Sequence, residues 1–243
     1  LLWVSAALAD PGADIVVVVD NSCSMSNSFP FSDGKTTEQV PAQDPERLAV
    51  LATLAVQALG TGNDSVTVLS FGDSEQAAAR TAASPEDVRE WRSANGTWFR
   101  EPLKEATRLL EASRKASRFL LFLTDGVPSD LASPDDLRTV FDPTTHPTID
   151  VLSVGLFRHP KIELAGSRYL EAIVHDATTD FRKVTDPAEV VGAFTEGFAR
   201  AIGSRPETGF LDAGDEHAFT VGRYVSEVIV ITVSRSPEKA YQA

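Results

Sequence analysis

Five consecutive β-branched residues, Ile15, Val16, Val17, Val18 and Val19, stand between Asp14 and Asp20. Branching at Cβ limits side-chain freedom in a helix and packs well on a pleated surface, so the run predicts a strand. It shows no alternation of apolar and polar residues, which means that neither face is wet. A strand covered on both faces belongs in the middle of a parallel sheet, with helices above and below it.

The rest of the chain supplies such helices. Residues 48–59 are apolar and stop at Gly60; Asp44 as N-cap and Pro45 at the first helical position open them, predicting a helix buried almost all round. Residues 64–71, DSVTVLSF, predict a second strand ending at Gly72, and Ser84-Pro85-Glu86-Asp87 caps a helix over 84–93. A helix over 101–113, a strand over 119–124, a short helix from Ser133-Pro134 and a strand over 149–155 follow. A helix over 164–177, a short strand over 181–184 and a helix capped by Asp186-Pro187 and running to 202 complete the series. Strands alternating with helices at this spacing indicate an α/β domain with a Rossmann-like, mostly parallel central sheet flanked by helices.

Both ends of the chain differ from this middle. Residues 1–9 are apolar and end in Ala7-Leu8-Ala9 before polar Asp10, the pattern of the tail of a secretory signal with its cleavage site, although the same run also suits a first strand. Residues 203–215, GSRPETGFLDAGD, are rich in turn formers and read as a linker, and 216–243 read as the start of a β-rich module. The α/β domain therefore spans 10–202. No apolar stretch reaches the length of about 18 residues that a membrane-spanning helix needs.

Composition narrows the function classes. A net charge of -13 repels phosphate backbones and argues against a nucleic-acid partner. Cys23 is the only cysteine, so neither an internal disulfide nor a multi-cysteine metal site is possible. The four histidines, His146, His159, His175 and His217, lack metal-ligand spacing.

Oxygen side chains carry the chemistry instead. In open parallel sheets, ligands bind beyond the carboxyl ends of the strands. Asp20 sits at such an end and begins Asp20-x-Ser22-x-Ser24, which can turn two hydroxyls to the side of the carboxylate. Asp125, in Thr124-Asp125-Gly126, ends a second buried strand, and Thr97, in Asn95-Gly96-Thr97, precedes a helix. Asp20, Ser22, Ser24, Thr97 and Asp125 together suit a hard divalent cation, Mg²⁺ first and Mn²⁺ or Ca²⁺ as alternatives. Two carboxylates nearly neutralise the ion, while neutral hydroxyls leave it able to attract one more carboxylate from outside.

These motifs, DNSCS at 20–24, NGT at 95–97 and FLTDG at 122–126, resemble the metal-ion-dependent adhesion site of von Willebrand factor A (vWA) domains, in order and spacing. The resemblance covers residues 13–202. It implies a Rossmann-like sheet, metal ligation by Ser22 and Ser24 directly, and by Thr97, Asp20 and Asp125 directly or through water. It implies a binding or adhesion module, not an enzyme, whose protein partner supplies an Asp or Glu carboxylate, in an extracytoplasmic or surface-displayed protein. It also allows partner binding to be coupled to movement of the last helix.

Specificity would come from a rim of Met25, Trp98, Val127 and Pro128, with Phe99 the member best suited to burial, and from the long connection over 26–43. That connection exceeds the dozen or so residues usual for structureless loops. Two alternatives remain at this level. A metal-dependent enzyme, or a subunit of one, would use the same cation to polarise a carbonyl or phosphoryl group, though no general base is evident nearby. A regulatory partner of an ATPase is the other. Serine hydrolysis is a poor fit, because Ser22 lacks the G-x-S-x-G elbow.

Overall fold

The valine run lies in the strand β2 (Ala13–Asp20), the third strand of a six-stranded sheet. The computed structural model describes residues 2–5, 12–32, 34–60, 63–71, 80–82, 96–208 and 228–231. The strand β1 (Leu2–Ser5) precedes β2, and β3 (Phe29–Ser32) and β4 (Thr37–Val40) form a hairpin after it. Further strands are β5 (Ser65–Phe71), β6 (Arg80–Ala82), β7 (Ser117–Thr124), β8 (Asp150–Leu156), β9 (Phe181–Val184), β10 (Arg205–Thr208) and β11 (Val228–Ile231). The helices are α1 (Cys23–Ser26), α2 (Leu48–Leu59), α3 (Arg100–Ala112), α4 (Pro134–Arg138), α5 (Pro160–Ala172) and α6 (Pro187–Ala201).

The large sheet has the order β6-β5-β2-β7-β8-β9. Five of its strands are parallel and only β6 runs against them. From β2 the chain goes outward to β5 on one side, then returns to β7 on the other. The switch point, where a crevice opens in sheets of this kind, therefore lies between β2 and β7.

The absence of alternation in β2 is explained by two cores. Ile15, Val17 and Val19 pack with α2 and α6, including Val56 and Phe194, while Val16 and Val18 pack with Leu103 of α3 and Leu170 of α5. The expectation that α2 is buried all round holds only on its inner face, since Leu51 is 44% exposed. The start of α2 also differs from expectation. A turn joins Asp44 to Arg47, and the Asp44 carboxylate reaches forward to accept the N–H groups of Leu48 and Ala49, both at 2.8 Å. Pro45 thus precedes the helix rather than beginning it.

Two caps read from sequence are present: Ser133 accepts the Asp136 N–H at 3.2 Å, and Asp186 accepts the Ala188 N–H at 2.9 Å. The helix expected over 164–177 is α5, which begins four residues earlier at Pro160 and stops at Ala172. Beyond it, Asp176 forms a turn by accepting the Thr178 N–H and hydroxyl. The helix expected over 84–93 lies outside the described residues.

The segment read as a signal remnant contributes β1, the central strand of a three-stranded antiparallel sheet with order β10-β1-β11. β10 falls within the residues read as a linker, so 205–208 are strand rather than connection. The connection over 26–43 is likewise not structureless. It holds the β3–β4 hairpin, with Phe29 and Phe31 packed against the core on the α3 side.

Candidate metal-binding site at the sheet switch point

Register builds the site. Val19 of β2 is paired with Leu123 of β7, so Asp20 and Thr124 emerge side by side at the carboxyl edge, with Asp125 immediately after. Asp20 and Asp125 are 2% and 1% exposed. The Thr124 hydroxyl donates to Asp20 Oδ2 at 2.5 Å, and the Ser22 N–H donates to Asp20 Oδ1 at 2.8 Å. Ser22 Oγ and Ser24 Oγ share a hydrogen bond of 2.8 Å, and the Ser24 hydroxyl donates to Asp125 Oδ1 at 3.0 Å. Four of the five residues singled out in the sequence are thus joined in one hydrogen-bonded chain.

Thr97 comes from a different loop. Its carbonyl accepts the Ser129 N–H at 2.6 Å, and its hydroxyl lies 3.9 Å from where a Cβ on Gly126 would stand, so it flanks the Asp125 turn. Gly96 has φ +86°, the left-handed region that favours glycine, and a Cβ there would meet the Trp98 ring nitrogen at 2.6 Å. Phe99 anchors the loop from below, packed edge-on to Phe71 and Phe122 with centroids 5.5 and 5.0 Å away. Asn95, the first residue of the motif, lies outside the described residues.

The electrostatics are unusual for a buried polar cluster. Among the described residues neither Asp20 nor Asp125 forms an ion pair, and Asp125 Oδ2 is buried without a hydrogen-bond partner. Burial raises the pKa of Asp20 above its ordinary value, against the hydrogen bonds from Thr124 and Ser22 that lower it. For Asp125, burial and then the neighbouring Asp20 charge push the carboxyl well above the ordinary range. With Asp20 and Asp125 both buried and each feeling the other's charge, protonation of one or binding of a cation would relieve the repulsion. The donor set, two carboxylates with hydroxyls from Ser22, Ser24 and Thr97, suits a hard cation that retains water. Among the described residues no group of three or more His, Cys, Asp or Glu side chains is placed to hold a metal.

The rim is less open than the sequence implied. Met25 is 4% exposed and belongs to the core with α2, because α1 turns its side chain inward; it is not a surface contact. Pro128 is buried as well, whereas Trp98 and Val127 are half-buried. Phe99 is fully buried, in keeping with the sequence reading. Three supporting groups escaped it. Thr124 fixes Asp20, Asp130 accepts the N–H groups of Phe99 and Arg100 at 3.0 and 2.9 Å to hold the start of α3, and Gln43 is buried beside the serines. Asp130 was detectable only as a short polar side chain in a turn; long-range contacts of the other two leave no local signal.

Sheet order and helix placement define the class: the chain has a von Willebrand factor A-like fold. Among solved structures, the vWF domain of the type V pili tip protein Mfa5 from Porphyromonas gingivalis has a TM-score of 0.56 at 15% identity, covering 85% of this chain and 99% of that one. The pilus adhesin SpaC from Lactobacillus rhamnosus GG, in its open conformation, has a TM-score of 0.55 at 13% identity, covering 82% of this chain and 31% of SpaC. Proximal thread matrix protein 1 from the mussel byssus has a TM-score of 0.54 at 13% identity, covering 82% of this chain and 49% of that one. The chain thus spans about a third of SpaC and half of the byssus protein. No protein-family model matches the chain, and no curated protein matches it by sequence.

Proposed function

We propose that this domain is a metal-dependent binding or adhesion module that recognises a carboxylate of a protein partner through a divalent cation, Mg²⁺ in the first instance. The observation that carries the reading is the pair of buried carboxylates, Asp20 and Asp125, which form no ion pair among the described residues, with Asp125 Oδ2 left without a hydrogen-bond partner among them. A bound cation would neutralise that pair and offer a coordination position to an outside carboxylate.

The chain's own residues have distinct parts in this reading. Thr124 and the Ser22 N–H hold the Asp20 carboxylate from two sides, leaving it rotationally fixed. Ser22 and Ser24 contribute neutral oxygens, so that the site carries two negative charges rather than four. Thr97 approaches from the loop in front of α3, on the flank of Asp125. The likeness of fold to pilus and byssus proteins supports an adhesive role and an extracytoplasmic or surface location, which we propose alongside it. Among the described residues no helix is long and apolar enough to cross a membrane.

The test is calorimetric titration of the protein with Mg²⁺, followed by binding to immobilised polyglutamate and polyglutamine peptides with Mg²⁺ or EDTA. Saturable Mg²⁺ binding that is lost in Asp125→Ala, with Mg²⁺-dependent retention on polyglutamate alone, is expected. Absence of Mg²⁺ binding by the wild type, or equal retention in EDTA, would refute the reading.

A further inference from the structure

Gln43 is a fully buried amide in the segment between β4 and α2, and nothing so far accounts for it. Its backbone N–H donates to the Ser24 carbonyl at 3.1 Å, and the next residue, Asp44, donates its N–H to the Met25 carbonyl at 2.7 Å. These two bonds grip α1, the turn that presents Ser22 and Ser24. The Gln43 side chain then faces the opposite way. Its Oε1 accepts the Arg158 N–H at 2.8 Å, beyond the end of β8, and its Nε2 donates to the Pro41 carbonyl at 2.6 Å, at the foot of the hairpin. One residue therefore ties three segments of the carboxyl edge together: the serine turn, the hairpin base and the β8–α5 connection.

We propose that Gln43 is a positioning residue for the cation site, acting on Ser24 through the backbone; the inference rests on the metal-binding reading above. The reasoning is geometric. α1 is a single turn of four residues, and its N-cap, Ser22, makes no capping bond from its side chain. A turn this short does not hold its shape alone, because nucleating a helix fixes several residues for each hydrogen bond gained. Its position is set by groups outside it: Asp125 accepts the Ser24 hydroxyl, and Gln43 and Asp44 donate to the Ser24 and Met25 carbonyls. Asp44 is itself held by α2, through Leu48 and Ala49, so Gln43 is the member anchored to the far side of the edge. Partners lying behind metal ligands typically change metal affinity by about 10- to 100-fold when removed.

The variant Gln43→Met keeps the length of the side chain and removes both side-chain hydrogen bonds. Two measurements on the full chain separate the possible outcomes. In EDTA, amide hydrogen exchange should accelerate for Met25 and Asn27, whose N–H groups close α1 on the Ser22 and Cys23 carbonyls, while the amides of β7 keep their protection. With Mg²⁺ alone as the probe, the dissociation constant should rise by about 10- to 100-fold. Arg158→Ala keeps the backbone N–H that Gln43 accepts and removes only the guanidinium bond to the Ala42 carbonyl at 3.1 Å, so it should change both readouts less than Gln43→Met does. Should Gln43→Met fail to fold, Gln43→Asn, which keeps an amide but is one methylene too short to reach both the Arg158 N–H and the Pro41 carbonyl, serves the same measurements. Unchanged exchange at Met25 and Asn27, or exchange raised uniformly over the domain, overturns the positioning role. A wild type that binds no Mg²⁺ overturns the metal reading instead, while the exchange data still decide for or against Gln43 as the group that holds α1.

Discussion

The Thr124 hydroxyl and Asp20 Oδ2 are joined by a hydrogen bond of 2.5 Å across two neighbouring parallel strands, both residues at most 2% exposed. This bond makes the last rung of the β2–β7 pairing a side-chain contact instead of a backbone one. Thr124→Val preserves shape and deletes both the donor to Asp20 and the acceptor of the Gly126 N–H at 3.1 Å. A buried carboxylate oxygen left unpaired costs about 1–3 kcal/mol, so the urea midpoint of the EDTA-treated variant should fall. Equal midpoints would mean that Thr124 does not hold Asp20.

Asp125→Asn should behave differently in the two states of the site. Without metal, the substitution removes the charge that Asp20 opposes and that burial penalises, so the variant should be at least as stable as the wild type in EDTA. With Mg²⁺ at about a hundred times the dissociation constant, the wild type should gain about 2.7 kcal/mol and the variant much less. A crossing of the two thermal midpoints between EDTA and Mg²⁺ is the expected signature.

The pH dependence has two limbs of opposite sign. Asp20 and Asp125 have raised carboxyl pKa values in the folded state. The folded state therefore binds more protons between their ordinary value and the raised one, and metal-free stability should increase as pH falls from neutral through that window. Asp14, at the other end of β2, is lowered: burial opposes this, but Lys115 at 2.8 Å and the Ser113 hydroxyl outweigh it. Its contribution is present above its ordinary value of 3.8 and is lost as pH falls below that value towards the lower folded one. Urea midpoints in EDTA should thus pass through a maximum on the acid side of neutral. Mg²⁺, which needs the carboxylates ionised, should erase the first limb, and Asp14→Asn should weaken the second.

Asp130→Ala removes a cap supplied from a loop thirty residues away, since Asp130 accepts both the Phe99 and Arg100 N–H groups at the start of α3. Loss of such a cap costs about 0.5–2 kcal/mol. Because Thr97 lies two residues before Phe99, Mg²⁺ affinity should fall as well. A stability loss with unchanged Mg²⁺ affinity would mean that the Asp130 cap does not position Thr97.

The parts of the molecule legible in sequence are those whose cause is local. The branched run at 15–19, the Ser133 and Asp186 caps and the Gly60 stop each act within a few residues, and β2, α4, α6 and the end of α2 lie where they indicate. Asp20, Ser22, Ser24 and Asp125 meet because strand ends in a parallel sheet converge on one edge, a rule of topology rather than of composition. Other features are less legible, some for local and some for long-range reasons. Pro160 sets the start of α5 through its own ring, yet the apolar spacing begins only later and shifted the expected helix. Met25 reads as a surface anchor beside the serines, but a one-turn helix rotates it into the core. β1 finds its partners only some two hundred residues along the chain, at β10 and β11, and no local pattern could show that pairing.

That pairing has a mechanical consequence. Ser5 is matched with Arg205 and Leu2 with Thr208, so the chain enters and leaves the α/β domain across a single rung, Ser5–Arg205, of one antiparallel ladder. Topologically the whole domain is the loop of a very large hairpin. Tension applied between Leu2 and Thr208 should therefore peel that ladder open from its outer end, reaching the sheet edge that carries Asp20 and Asp125 only after the Ser5–Arg205 rung gives way.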